Sequence, residues 1–496
     1  MGLSAKTIGR IAGPALFALI VGLFHPEGLN SKANAVLATT AWIAIWWVTE
    51  AIPIAATALL PIVLFPLTGA VTLQATTAQY GDRYIFLYIG GFLIAIAIEK
   101  WGLHRRIALH IIKLIGTNVT GIILGFMVAT AALSMWISNT ATAVLMLPIG
   151  MAIIAQLRDN PETDAHENQV FGKALMIAIA YSASIGGMAT LIGTPPNLVL
   201  AGMVQELYGV EISFAQWIML GLPVSLVLLV LCWLYLTRVA FTFQQKGFPG
   251  GREEIDKQLA ALNRMSIEEK LLLAVFVLTA ASWISRSFLQ EQFGLFPRLD
   301  DTTIAMIAGL GLFLLPCWKR GDAETGGALL QWEDTKNLPW GIILLFGGGM
   351  ALAEGFESSG LAVWLGSHTA LLQNASLLLV VFMLVAAVNF LTEVTSNLAT
   401  TSMILPILAS MALSMDVHPF LLMVGATLAA SCAFMLPVAT PPNAVVFGSG
   451  HLRIADMVRT GFWMNVISIL LLTSFVYFIL PLLWGLTITR FPESWK

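Results

Sequence analysis

Two polar stretches sit inside apolar surroundings. The first is Leu133-Ser134-Met135-Trp136-Ile137-Ser138-Asn139-Thr140-Ala141-Thr142. The second is Leu391-Thr392-Glu393-Val394-Thr395-Ser396-Asn397-Leu398-Ala399-Thr400. Two more breaks follow them, Gly193-Thr194-Pro195-Pro196-Asn197 and Ala439-Thr440-Pro441-Pro442-Asn443. Proline has no N–H and keeps the residue before it out of the α region, so each Pro-Pro pair interrupts a helix. An interrupted helix presents free carbonyls, which with hydroxyls suit a hard cation such as Na⁺. It also presents free N–H groups, which suit an anion. In a membrane such groups must find partners or line a cavity. The chemistry on offer is therefore binding of a cation and an anion at four broken backbones that converge on one site.

The spacing of these stretches is not random. Ser134 and Thr392, Ser138 and Ser396, Asn139 and Asn397, Thr142 and Thr400, and Pro148 and Pro406 each lie 258 residues apart. The same offset relates Gly90-Gly91 to Gly348-Gly349, Glu99 to Glu357, and Gly102-Leu103 to Gly360-Leu361. Past the polar stretches it falls to 246, which pairs the two Thr-Pro-Pro-Asn sites. The first copy thus carries an insertion, placed in the polar loop 158–164. A repeat of this length sets the whole reading of the chain.

The elements that must hold these residues are membrane helices. Of 496 residues, 58% are hydrophobic and 11% charged, against about 25% charged in soluble domains. Spans are expected at about 9–24, 35–49, 52–70, 84–99, 172–205, 214–241, 267–285, 303–317, 339–357, 419–448 and 460–484. Segments 118–157 and 375–411 are too long for one span and kink near their middles, so they read as re-entrant hairpins. The fold class expected is an all-α polytopic membrane protein, with about 11 transmembrane helices and two hairpins. Lys6 and Arg10 before the first apolar run read as the flank of an uncleaved span rather than a leader.

Charge orients the layout. With the N-terminus in the cytoplasm and the hairpins not crossing, 19 of the 25 Lys and Arg residues fall on the cytoplasmic side, as the positive-inside rule requires. The C-terminus then lies outside, and the protein is a multi-pass inner (plasma) membrane protein. Gly102 falls inside and Gly360 outside, so the two copies form an inverted repeat. The boundaries are an N-terminal span 1–34, a first repeat 35–242, a cytoplasmic linker 243–266 and a second repeat 267–496.

Together the Thr49-Glu50-Ala51-Ile52-Pro53 stretch, the Ser-Asn-Thr tip, and the run from Ser431 to Asn443 resemble the divalent anion/sodium symporters. This is the INDY-like group that includes solute carrier family 13. The resemblance covers nearly the whole chain. It implies a homodimer and an elevator-type motion. Scaffold parts at 35–117 and 267–374 would hold the dimer. Transport parts at 118–242 and 375–496 would carry hairpins 118–157 and 375–411 and broken helices 172–205 and 419–448. One Na⁺ site would use Ser134, Ser138, Asn139 and the Gly193 carbonyl. The other would use Thr392, Thr395, Ser396, Asn397 and the Ala439 carbonyl. The anion would meet Asn139, Thr140, Thr194, Pro195, Asn397, Leu398, Thr440 and Pro441. The function implied is Na⁺-coupled symport of a small divalent anion, a C4-dicarboxylate such as succinate, malate or fumarate ranking first. A tricarboxylate, sulfate, or exchange on the same fold are the alternatives. No Lys or Arg lies between Lys113 and Arg158 or between Lys336 and Arg453. Co-bound Na⁺ is then the compensation available to a buried dianion, and the basic residue expected of exchangers is missing. Leu398 departs from the pattern, since dicarboxylate members usually carry Thr there.

Other readings are weaker. A hydrolase using Ser138 or Ser396 has no His or Lys base in either hairpin, so no enzyme activity is expected. Cys232, Cys317 and Cys432 show no CxxC, His166-Glu167 lacks a second His, and no cofactor is expected. The expected partners are the anion, Na⁺, the bilayer and a second copy, with no nucleic acid. Glu393 reads as a partner for nearby N–H groups, Glu50 and Glu99 as residues near span ends, and Gly347-Gly348-Gly349 as close packing. The segment from Trp101 to Ile115 reads as an interfacial amphipathic helix.

Overall fold

A computed structural model describes residues 4–116, 118–158, 164–243, 251–318, 327–367 and 376–495. Helix α1 spans Ala5–Leu23, and α2 spans Ser31–Thr49, started by Asn30, whose side chain accepts the Ala33 N–H. There follow α3 (Ile54–Thr57), α4 (Leu60–Thr68), α5 (Leu73–Ala78), α6 (Arg83–Lys100) and α7 (Leu103–Ile115). Next come α8 (Val119–Ser134), α9 (Asn139–Arg158), α10 (Ala165–Gly187), α11 (Pro195–Tyr208) and α12 (Phe214–Tyr235). Helix α13 covers Gly251–Ala261. The rest of the chain forms α14 (Ile267–Phe293), α15 (Asp301–Gly311), α16 (Trp340–Ser358), α17 (Leu361–Ser367), α18 (Leu377–Leu391), α19 (Asn397–Ser414), α20 (Pro419–Ala430), α21 (Pro441–Phe447), α22 (Ile454–Ser474) and α23 (Leu480–Trp484).

The repeat read from spacing reappears in the elements. α7, α8 and α9 begin at Leu103, Val119 and Asn139; α17, α18 and α19 begin 258 residues later, at Leu361, Leu377 and Asn397. α11 and α21 begin 246 residues apart, each on the first proline of its pair. The insertion placed at 158–164 lies mostly outside the described residues, as do linker residues 244–250 and residue 375 of the second hairpin.

Several expected spans take a different form. The span at 52–70 is two short helices, because Pro61 interrupts the pattern just after Ala58-Leu59. The span at 303–317 stops as a helix at Gly311. Leu312 to Leu315 turn back instead, receiving the Leu329 and Leu330 N–H groups, and Pro316–Cys317 pairs with Gly327–Ala328 as a two-residue antiparallel ribbon. The turn fully covers Leu312 and Leu329 and leaves Leu314 exposed. The ranges 172–205 and 419–448 are broken helices, as the Pro-Pro pairs predict, with the breaks over 188–194 and 431–440. Beyond α12 and α22, residues 236–240 and 475–479 form π-helical turns.

Glycine sets how closely the helices approach. A Cβ on Gly186 would stand 2.3 Å from the Ala131 carbonyl, so α8 and α10 touch backbone to backbone. The glycine triplet does the packing expected of it. A Cβ on Gly347, Gly348 or Gly349 would come within 2.4, 2.5 and 2.7 Å of Tyr80, the Ala58 carbonyl and Ser402, respectively. α16 thereby lies against the broken α3–α4 segment on one side and α19 on the other.

Two ion-pair groups fix the ends. α7 buries Leu103, Ala108, Leu109 and Ile112 and exposes Arg105, His110 and Leu114, an amphipathic division of its surface. Its Arg106 meets Glu269 at 2.9 Å and the Leu262 and Asn263 carbonyls at 3.1 Å. Glu269 also closes the capping box of α14. At the α11–α12 connection, Arg286 pairs with Asp301 (2.8 Å) and Glu211 (2.7 Å), while Asp301 accepts the Phe214 N–H.

Candidate functional site

The first polar stretch is the turn between α8 and α9. Ser134, the last residue of α8, is fully buried behind it. With its amide nitrogen turned inward, Asn139 donates to Ser134 Oγ (2.6 Å), the Ala183 carbonyl (3.1 Å) and the Gly193 carbonyl (3.3 Å). With its oxygen turned inward, four oxygens face one another and the Ser134 hydroxyl is the one donor among them. A hard cation stabilises that second arrangement, because oxygen dipoles are its preferred ligands. The Ser138 hydroxyl accepts the Ala141 N–H at 3.2 Å and starts α9.

The second stretch repeats this geometry with Thr in place of Ser. Thr392 is buried behind the turn between α18 and α19, and its hydroxyl lies 2.7 Å from Asn397 Oδ1 and 3.0 Å from the Ala430 carbonyl. Thr395 meets the Leu391 carbonyl and the Thr400 hydroxyl. Ser396 sits at the N-cap of α19 with no side-chain capping bond. The two tips differ one residue on: Thr140 is exposed, whereas Leu398 is 4% exposed.

The two Pro-Pro breaks are built alike. Thr194 and Thr440 are the extended N-caps of α11 and α21, and proline follows at the first helical position of each. The asparagine after each proline pair is a tie. Asn197 donates to the Thr190 carbonyl (2.8 Å), and Asn443 donates to the Ala433 and Leu436 carbonyls (3.1 and 3.0 Å). Both asparagines are fully buried and pin the unwound chain ahead of them. Glu393 pins the second unwound segment from the other side. It accepts the N–H groups of Phe434, Met435 and Leu436 and the Asn465 amide, all within 3.0 Å. Its role is thus the partner to N–H groups that its sequence position suggested.

All four breaks line one cavity of about 610 Å³. Every residue named above for anion or cation lines it, except Ser134 and Thr392, which stand behind the tips. The N-termini of α9 and α19 open onto it and offer backbone N–H groups to an anion, whereas α11 starts on two prolines that have none. The structure adds residues that sequence reasoning did not place there. Trp47, Thr49, Glu50, Ile54, Tyr88, Ile342 and Leu345, from α2, α3, α6 and α16, form a facing wall. The Thr49 to Pro53 stretch was the available signal, but its wall role depends on tertiary contacts. Among the described residues no Lys or Arg lines the cavity, and Glu50 is the one charged side chain that does.

Residues 4–485 match the family model described as the sodium:sulfate symporter transmembrane region. The chain is 48% identical over 487 residues to a protein of Staphylococcus saprophyticus named sodium-dependent dicarboxylate transporter SdcS, covering 98% of this chain and 93% of that one. It is also 48% identical over 489 residues to the Staphylococcus aureus protein of the same name, covering 98% and 94%. Among solved structures it resembles Neisseria gonorrhoeae MtrF, of a class of antimetabolite efflux pumps, with a TM-score of 0.57 at 12% identity over 96% of both chains. The Alcanivorax borkumensis YdaH transporter aligns with a TM-score of 0.54 at 13% identity, over 80% of this chain and 85% of that one. At such identities the likeness is one of fold alone.

Proposed function

This chain belongs to the sodium:sulfate symporter family, and from that premise we propose that it is a secondary transporter coupling Na⁺ to the movement of a C4-dicarboxylate. The observation that carries this reading is the single cavity where four broken backbones meet with no cationic side chain on its described wall. A dianion there needs positive charge from elsewhere. Na⁺ at Ser134, Ser138, Asn139 and the Gly193 carbonyl, and at Thr392, Thr395, Ser396, Asn397 and the Ala439 carbonyl, supplies it. The anion meets Asn139, Thr140, Thr194, Pro195, Asn397, Leu398, Thr440 and Pro441. Neither ion then crosses cheaply alone, which is the physical content of coupling. The protein acts as a homodimer with inverted repeats, N-terminus inside and C-terminus outside. Its transport parts, 118–242 and 375–496, move past the scaffold parts, 35–117 and 267–374, in an elevator motion.

The test is uptake of radiolabelled succinate by proteoliposomes holding the purified protein. An inward Na⁺ gradient should drive accumulation that an equal K⁺ gradient does not. Succinate uptake that ignores Na⁺, or that requires a counter-anion inside, would replace symport with another mechanism.

Leu398 bears on which anion is preferred. A hydroxyl that reaches a carboxylate is exchanged here for a buried apolar wall, and a site gains most of its discrimination from hydrogen bonds it is built to make. Leu398→Thr should raise the preference for succinate over citrate by about tenfold, on the scale of one added hydrogen bond to a charged group. Competition of citrate against labelled succinate measures it, and an unchanged ratio would remove position 398 from selectivity.

A further inference from the structure

Tyr88 stands on α6, two residues before Gly90-Gly91. The 258-residue offset that pairs those glycines with Gly348-Gly349 pairs Tyr88 with Phe346. Both residues are buried, 3% and 2% exposed. The Tyr88 ring meets Phe92 edge-on, with centroids 4.3 Å apart. The tip of the Phe346 ring is closed off by α11, where a Cβ on Gly202 would come within 3.0 Å of it. Packing thus uses an aromatic ring at this place in each copy, and the hydroxyl is particular to the first.

That hydroxyl is uncommitted. Among the described residues it has no hydrogen-bond partner, although a buried phenol ordinarily finds one. Its oxygen is not sealed inside the protein either, and the large open space that Tyr88 lines is the cavity. Tyr88 also lines a side pocket of about 10 Å³ between α6 and the first hairpin tip. Ser138 lines both spaces as well, which sets Tyr88 beside that tip. The other polar side chains of the facing wall are in use. Thr49 donates to the Ile45 carbonyl (2.7 Å), Trp47 donates to the Ile54 carbonyl (3.3 Å), and the Glu50 carboxylate repels an anion. Tyr88 is the side-chain donor that this wall leaves free.

We propose that Tyr88 is an anion ligand contributed by the facing wall: its hydroxyl donates to the carboxylate held at the first hairpin tip. The inference rests on the proposed Na⁺–dicarboxylate function and adds a residue outside the four broken backbones. α6 belongs to the proposed scaffold part 35–117, whereas the other anion ligands belong to the transport parts. The bond is therefore made while the anion rests in this cavity and must break before the transport parts carry it away. Such a bond tightens binding without speeding the step that follows.

The test is Y88F, which removes one oxygen and keeps the ring. The Kd of radiolabelled succinate for the full-length protein in detergent, at saturating Na⁺, should rise about tenfold or more, as expected for one hydrogen bond to a charged group. Maximal Na⁺-driven uptake in proteoliposomes should stay at or above the wild-type rate. Stabilisation by Na⁺ alone, read as a rise in melting temperature, should keep its wild-type midpoint, which assigns the loss to the anion. A merely structural hydroxyl would lower the maximal rate and the melting temperature instead. Phe is what the second copy carries, so a Y88F protein that fails to fold would itself make the hydroxyl structural and overturn the proposal. An unchanged Kd, or a loss that appears with Na⁺ alone, also overturns it while leaving Na⁺ coupling in place. Wild-type protein that binds and takes up succinate without regard to Na⁺ overturns the proposed function itself.

Discussion

Asn139→Ala and Asn397→Ala should each lower Na⁺-driven succinate uptake by about a hundredfold or more, with the protein still folded. The size follows from what each amide does. In the proposed site each asparagine contributes to one cation and to the anion, and a hydrogen bond to a charged group is worth about 1.5–3 kcal/mol. Losing one of each removes about 3–6 kcal/mol of coupled binding, which already exceeds a hundredfold. The fold should survive because both side chains border the cavity, so water can reach groups the truncation leaves bare. For Asn139 those groups are Ser134 Oγ and the Ala183 and Gly193 carbonyls; for Asn397 the group is the Thr392 hydroxyl. Uptake in proteoliposomes gives the loss, and a thermal melt in detergent separates it from misfolding. Near-normal uptake in either variant would take that asparagine out of the site.

The part of this arrangement legible in the sequence is the part written locally. A polar kink in apolar sequence, or two prolines in a row, dictates a helix break wherever it occurs. The constant offset between copies then states which breaks correspond, and α7 to α9 and α17 to α19 begin at that spacing. What could not be read depends on tertiary contact. The helix at 303–317 was drawn too long because the apolar run continues to Leu315, yet Leu329 and Leu330 offer its carbonyls partners outside a helix. Glu50 looked like a residue near a span end. It does end α2, but that the end of α2 lines the cavity is a matter of tertiary contact that no local pattern states. The facing wall of Trp47, Tyr88, Ile342 and Leu345 likewise draws on three helices and carries no motif.

The other large effect belongs to Glu393, 3% exposed and beside the second tip. Its two oxygens accept three consecutive backbone N–H groups, from Phe434, Met435 and Leu436, and the Asn465 amide. The chain there is unwound, so those N–H groups have no helical carbonyl to take them, and a buried N–H without a partner costs about 1–3 kcal/mol. Glu393→Ala strands all four donors. Removing the carboxylate also returns its desolvation cost, which offsets part of the loss. The net destabilisation should still be about 3 kcal/mol or more, read as a clear fall in melting temperature in detergent. Glu393→Gln keeps one acceptor oxygen and turns an NH₂ toward donors, so it should fall between wild type and the alanine variant. The same segment leads directly into Ala439 and Thr440, so the alanine variant should also bind Na⁺ more weakly, because the carbonyl proposed for the second cation is no longer held in place. A Glu393→Ala protein that melts with the wild type would mean that water, or a rewound helix, satisfies 434–436 without the carboxylate. The unwound segment would then owe its shape to Pro441-Pro442 and the Asn443 tie alone.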